Sequence, residues 1–225
     1  MRNGHTMYEN IIFDLDGTLL DTLDDLTDAT NAALAKCGLK RRTREEVRAF
    51  IGNGIVNLME RAVGEEGKAY HADALAEFKR YYAAHCADKT APYEGILPLL
   101  QALKAQGVKT AVVSNKVDFA VKSLAAEYFD GLLLTAVGEN EEMGIRKKPA
   151  PDSLLTVMEQ LSATAENTVY VGDSEVDVQT AKNAGVDCIC VTWGFRDKAF
   201  LQSEGGRTFV DTPAEILAYT KGAGI

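Results

Sequence analysis

The chain has 225 residues, of which 46% are apolar and 25% charged, and its formal net charge is −9. That length suits one large domain, or a core domain carrying a smaller one. The acidic balance argues against nucleic acid as a partner, since phosphate backbones need basic surface, and no apolar run approaches the ~20 residues of a membrane span.

Residues 1–7 read as a loose polar tail with no apolar signal-peptide core. Ile11-Ile12-Phe13 is a short β-branched and aromatic run, the pattern of a buried strand. It feeds directly into Asp14 and Asp16, then Gly17 and Thr18. Two carboxylates two residues apart point the same way at a strand end. Such a pair needs a cation, a shared proton or both. Residues 21–90 hold apolar positions at helical spacing and no convincing strand. Leu23 to Cys37 is one helix, stopped by Gly38. Thr43 with Glu46 is a capping box opening a second, and Gly52-Asn53-Gly54 breaks it. Ile55 to Val63 and Tyr70 to His85 are two more.

Beyond Pro92 helices and strands alternate. Ile96–Ala105 is a helix. Val108–Val113 is a strand that runs into Ser114-Asn115-Lys116. Val117–Ala126 is a helix and Gly131–Thr135 a strand. A glycine- and glutamate-rich loop follows, ending in Arg146-Lys147-Lys148-Pro149. Ser153–Leu161 is a helix, and Thr168–Val171 is a strand entering Gly172-Asp173-Ser174-Glu175-Val176-Asp177. Val178–Ala184 is a helix, Val186–Val191 a strand, 208–210 a short strand, and Pro213 opens the last helix. This rhythm predicts an α/β fold, a doubly wound parallel sheet of Rossmann-like type, with an inserted all-helical domain. The expected division is 1–20 and 91–225 for the core and 21–90 for the insert. The cysteines, Cys37, Cys86, Cys188 and Cys190, form no Cys-x-x-Cys pair, which suits reduced thiols in the cytoplasm.

In such sheets ligands bind beyond the carboxyl ends of the strands. The polar clusters Asp14/Asp16, Ser114/Asn115 and Asp173/Asp177 all fall at such ends, and a lysine of the 146–148 run precedes a helix. Four carboxylates exceed what one lysine neutralises, and a hard divalent cation such as Mg²⁺ suits them. Ser114, Asn115 and the backbone around Gly17 add donors, expected at helix N-termini, so the pocket favours an anion carried with a metal, a phosphoryl group above all. A carboxylate beside it can attack as a nucleophile, and a second can move the proton. Either Lys147 or Lys148 supplies the cation, and the proline that follows favours Lys148. Asp177 reads equally well as a first-turn helix acid.

Asp14-Leu-Asp-Gly-Thr18, Ser114-Asn-Lys, Lys148-Pro-Ala-Pro and Gly172-Asp-Ser-Glu-Val-Asp177, in that order, resemble the four motifs of the haloacid dehalogenase-like hydrolase superfamily. Within it the chain looks most like the phosphoglycolate phosphatases and their relatives. The resemblance covers essentially the whole chain, with 21–90 in the place of a helical cap. It implies Asp14 as nucleophile and metal ligand, and Asp16 as general acid/base with its main-chain carbonyl on the metal. It implies Ser114 and Lys148 as catalytic partners holding the phosphoryl group, helped by backbone near Gly17 and Asn115. Asp173 would be the second Mg²⁺ ligand, and Asp177 would complete the site by holding metal-bound water, or hold Lys148. The expected partner is a small phosphorylated metabolite, not nucleic acid or membrane.

For the cap, the Gly52-Asn53-Gly54 turn offers backbone donors to a substrate carboxylate such as that of 2-phosphoglycolate. Lys40, Arg42 and Arg44 read either as helpers or as a solvated basic patch. Asp21, Asp24, Asp25 and Asp28 read as an acidic helix face, and Trp193-Gly194-Phe195 as packing. Competing functions are a pyrophosphatase or a nucleotide or sugar phosphatase on the same core. A sugar-phosphate mutase is disfavoured because 21–37 lacks histidine and tryptophan, and a phosphoaspartate signalling domain because of the helical insert.

Overall fold

The computed structural model describes residues 7–140 and 144–220. Most of the expected polar tail and part of the glutamate-rich loop lie outside the described residues. The chain forms two compact units, one made of the residues up to Leu19 and from Pro92 onward, the other of Leu20–Ala91.

The first unit is built on a six-stranded sheet. Its strands are β1 (Asn10–Phe13), β4 (Lys109–Val117), β5 (Thr135–Glu139), β6 (Thr168–Gly172), β7 (Asp187–Val191) and β8 (Thr208–Val210). The spatial order is β5-β4-β1-β6-β7-β8, and every pairing is parallel. β1 lies between β4 and β6, with Phe13 opposite Val112 on one side and Val171 on the other. A strand buried on both faces has no polar positions to alternate, which is why Ile11-Ile12-Phe13 reads as a continuous apolar run. On one face Ile12 packs with Val113 and Tyr170 under Leu154 and Val157 of α7 (Asp152–Leu161) and Ala181 of α8 (Glu175–Ala184). Helices α5 (Ile96–Ala105) and α6 (Asp118–Phe129) also pack on β4. The chain leaves β1 towards β4 and β5 and returns to β6 on its other side, so the order reverses at β1, where a parallel sheet opens a crevice.

Three elements differ from expectation. β4 does not stop at Val113 but continues to Val117, with a register shift against β5 between those residues. β5 begins at Thr135, where the expected strand ended. The preceding leucines are apolar without being strand, and Leu134 is 65% exposed, because at a sheet edge apolarity does not track pairing. The helix α9 (Lys198–Ser203), capped by Asp197 Oδ1 accepting from Phe200 N at 2.8 Å, is too short to show a helical period. The last helix, Pro213–Tyr219, is of the 3₁₀ type.

The second unit holds α1 (Leu23–Lys36), α2 (Arg44–Phe50), α3 (Gly54–Val63) and α4 (His71–His85), with a short ribbon of β2 (Leu20–Asp21) and β3 (Ala91–Pro92) where the chain passes between units. The capping box is present: Thr43 N donates to Glu46 Oε2 at 2.7 Å and Glu46 N to Thr43 Oγ1 at 3.2 Å. The acids of α1 are not one exposed face. Asp25 is buried and accepts from Lys89 N, Thr90 N and Thr90 Oγ1, the last two at 2.8 Å. The basic residues are partly used internally: Arg42 Nε donates to Ala62 O at 2.8 Å, and Arg44 Nε to Asp24 at 2.6 Å.

Candidate active site

Asp14 is the first residue past β1, and its N–H extends the ladder by donating to Val171 O at 2.8 Å. The chain then turns, with Leu19 N donating to Leu15 O at 3.0 Å. Gly17 permits the turn: its φ is +85°, and a Cβ there would strike the Asp173 carboxylate. Gly172, at the end of β6, is needed for the same kind of reason, since a Cβ would strike the Asp177 carboxylate.

Lys148 stands at the centre. Its Nζ donates to Asp14 Oδ1 at 2.8 Å, to Asp177 Oδ1 at 2.7 Å and to Tyr170 Oη at 2.8 Å, so three partners match its three protons. Tyr170 passes its own proton to Val113 O at 2.8 Å. The backbone of Lys148 is held by Asn115, whose Oδ1 accepts from Lys148 N at 2.8 Å and whose Nδ2 donates to Lys148 O at 2.9 Å. Asp177 is the third residue of α8 and caps that helix as well: its Oδ2 accepts from Ser174 N at 3.0 Å and from Ser174 Oγ at 2.6 Å. Asp177 is therefore both a first-turn helix acid and a partner of Lys148. Asp173 accepts from Phe195 N at 2.6 Å and Thr18 Oγ1 at 3.3 Å.

Asp14, Asp173 and Asp177 are buried, and each offers a carboxylate oxygen within 4.8 Å of the others. Three carboxylates thus face one ammonium out of water. Burial pushes Asp14 up to about 7, with Asp177 and Asp16 adding to it against the pull of Lys148. Burial also holds Asp173 well above the usual carboxylate range, reinforced by Asp177 and Asp14. Burial works against the Lys148 ammonium, but Asp14 and Asp177 outweigh it and hold its pKa well above an ordinary lysine's. An all-oxygen donor set with excess negative charge fits a hard divalent cation.

Asp16 departs from this group. Its carboxylate meets Lys116 instead, at 2.7 Å from Nζ to Oδ1. Ser114, Asn115 and Lys116 are all buried in the irregular end of β4. The expected helix N-termini do not supply the donors: α6 starts only at Asp118, after N-cap Val117, and α1 only at Leu23. Ser114 Oγ accepts from Lys116 N at 3.3 Å. Of the two candidate lysines, Lys148 is buried in the cluster, while Lys147 is half-buried outside it and Arg146 pairs with Asp152 at 2.8 Å. Gly52, Asn53 and Gly54 belong to the helical unit, where Asn53 Oδ1 accepts from Arg61 at 2.7 Å.

The sequence reading missed Tyr170, Lys116 and the Phe195 N–H. A tyrosine inside the otherwise aliphatic Val-Tyr-Val of β6 and a lysine at the end of a buried strand were the available signals. Trp193-Gly194-Phe195 is more than packing: Trp193 Nε1 donates to Thr18 O at 3.0 Å while Phe195 N holds Asp173.

The family model described as haloacid dehalogenase-like hydrolase matches residues 11–191. The chain is 34% identical over 221 residues to a phosphoglycolate phosphatase of Pseudomonas putida, covering 94% of this chain and 79% of that one. It is 33% identical over 190 residues to a phosphoglycolate phosphatase of Aquifex aeolicus, covering 82% and 85%. Among solved structures, a Lactobacillus delbrueckii subsp. bulgaricus protein is similar at a TM-score of 0.87 and 40% identity, over 93% of this chain and 97% of that one. CbbY from Rhodobacter sphaeroides in complex with phosphate is similar at a TM-score of 0.71 and 25% identity, over 93% and 96%.

Proposed function

Because this chain belongs to the haloacid dehalogenase-like hydrolase family and is a phosphatase, we propose that it hydrolyses small phosphomonoesters through an aspartyl-phosphate on Asp14, with 2-phosphoglycolate the foremost substrate. The observation that carries this reading is the buried cluster in which Lys148 bridges Asp14 and Asp177 at 2.8 and 2.7 Å beside Asp173.

In the first step a carboxylate oxygen of Asp14 attacks phosphorus, the P–O bond to the alcohol breaks, and Asp16 gives its proton to the leaving oxygen. In the second, water attacks the phosphorus of the aspartyl-phosphate, Asp16 takes the water's proton, and phosphate departs as the Asp14 carboxylate is regenerated. Lys148 orients Asp14 and draws charge from the phosphoryl oxygens, Ser114 donates its hydroxyl to them, and backbone around Gly17 and Asn115 helps. Asn115 contributes through its side chain by fixing the Lys148 backbone. Asp14, Asp173 and Asp177, with the Asp16 carbonyl, are the residues that would hold a divalent cation, which we take to be Mg²⁺. Bound there it neutralises acids and phosphate so that like charges can approach. In the helical unit, the Gly52–Gly54 turn is our candidate for reading the substrate's carboxylate. We infer a cytoplasmic setting, which suits Cys37, Cys86, Cys188 and Cys190 standing as thiols outside any disulfide.

The test has two arms. Phosphate release from p-nitrophenyl phosphate with Mg²⁺ is compared for the wild type and Asp14→Asn; the variant is expected to lose about 10³-fold or more while keeping its circular dichroism. Equal activity in the two would refute the nucleophile. A panel of pyrophosphate, nucleotides, sugar phosphates and 2-phosphoglycolate then ranks kcat/KM, and no preference for 2-phosphoglycolate would overturn the substrate.

A further inference from the structure

Two buried lysines of the first unit, Lys148 and Lys116, divide the acids between them. Lys148 takes Asp14 and Asp177, and Lys116 takes Asp16. The Lys116–Asp16 pair is desolvated mainly on the lysine side: the side chains are 3% and 15% exposed, and the contact is 2.7 Å. A charge-assisted bond of that length and burial fixes orientation as well as supplying energy. The lysine reaches Asp16 because β4 runs past Val113 as an irregular strand, carrying Lys116 to the sheet end beside Asn115. Asn115 clamps the backbone of Lys148, so consecutive residues hold the two anchors.

From this geometry, and resting on the phosphatase reading above, we propose that Lys116 is a positioning residue for proton transfer. Its ammonium holds Oδ1 of Asp16, so the proton given to the leaving oxygen is carried on Oδ2 and presented in one direction. Without that anchor Asp16 turns among several rotamers, and only a fraction of them face the leaving group. A misplaced acid matters in proportion to how badly the leaving oxygen needs a proton. An alkyl alkoxide needs one, and p-nitrophenolate leaves without it. Lys116 therefore sets the enzyme's ability to act on alkyl phosphates.

The experiment measures kcat/KM, which reports phosphoenzyme formation, for wild type, Lys116→Met, Lys116→Gln and Lys116→Arg. Substrates are 2-phosphoglycolate, p-nitrophenyl phosphate and ring-substituted phenyl phosphates of graded leaving-group basicity. In Lys116→Met the alkyl-to-aryl ratio is expected to fall at least tenfold, with a steeper dependence on leaving-group basicity, and Lys116→Arg to recover part of it. Lys116→Gln gives the same readout should the methionine variant not fold. An equal fall on all substrates, or no change in the ratio, overturns the proposal. If the wild type hydrolyses none of these esters, or Asp14→Asn is as active as the wild type, it is the phosphatase reading or its nucleophile that fails instead.

Discussion

Lys148 spends every ammonium proton inside the protein, on Asp14, Asp177 and Tyr170. Removing it leaves buried carboxylates facing one another with no protein cation between them. Lys148→Met is therefore expected to destabilise the metal-free protein by about 3–5 kcal/mol, measured by urea unfolding, and to abolish turnover. Lys147→Met is expected to cost less on both counts, since Lys147 is only half-buried whereas Lys148 is buried against Asp14 and Asp177. A loss at Lys147 equal to that at Lys148 would overturn the assignment. In sequence these lysines are adjacent and chemically equal, and only the burial of one separates them. Asp16 makes a similar point. Its place in an Asp-x-Asp pair groups it with Asp14, but its carboxylate is claimed by a lysine a hundred residues on.

Among elements, β4 and α1 do the least expected work. β4 places Ser114, Asn115 and Lys116 in one buried stretch, so a strand extension, not a helix N-terminus, supplies these polar groups. α1 carries Asp25, whose carboxylate gathers the backbone N–H groups of Lys89 and Thr90 and the Thr90 hydroxyl. This contact ties the start of the helical unit to its end, just before β3. Asp25→Ala leaves two backbone donors without their acceptor, and the expected cost is about 2–6 kcal/mol at roughly 1–3 kcal/mol for each group left unsatisfied. Limited proteolysis near residues 86–91 should accelerate in the variant. Unchanged proteolysis and unchanged urea midpoint would mean that the clamp is dispensable.

At the scale of the molecule, the buried acids couple stability to pH and to metal. Unfolded, Asp14 titrates near an ordinary aspartate value of about 3.9. Folded and metal-free, it holds its proton up to about 7. Between those values the native state binds more protons than the unfolded one, so this group's contribution is greatest at low pH and is lost as pH rises through about 7. Asp173 shifts the same way. A divalent cation bound among these acids would replace the protons, so the rise in Tm on adding Mg²⁺ is expected to be larger at pH 8 than at pH 5.5. Thermal melts at both values, with and without the ion, check this; a Mg²⁺ increment that shrinks with pH would contradict it.

The sequence by itself determined the fold class and the phosphatase chemistry. A buried strand leaves no room for polar residues except at its ends, so Asp14, Ser114 and Asp173 declare themselves by interrupting apolar runs. Periodicity likewise set the helical stretch between β1 and β4 apart from the alternating remainder. It could not place β5, because an edge strand is not required to be apolar throughout, nor α9, which is shorter than two helical turns. Only the tertiary structure decided which carboxylate meets which lysine, that Tyr170 and the Phe195 N–H join the cluster, and that Asp25 is buried. Those pairings span up to 134 positions, as between Asp14 and Lys148. Local pattern records which face of an element is buried, and not what another element brings to meet it.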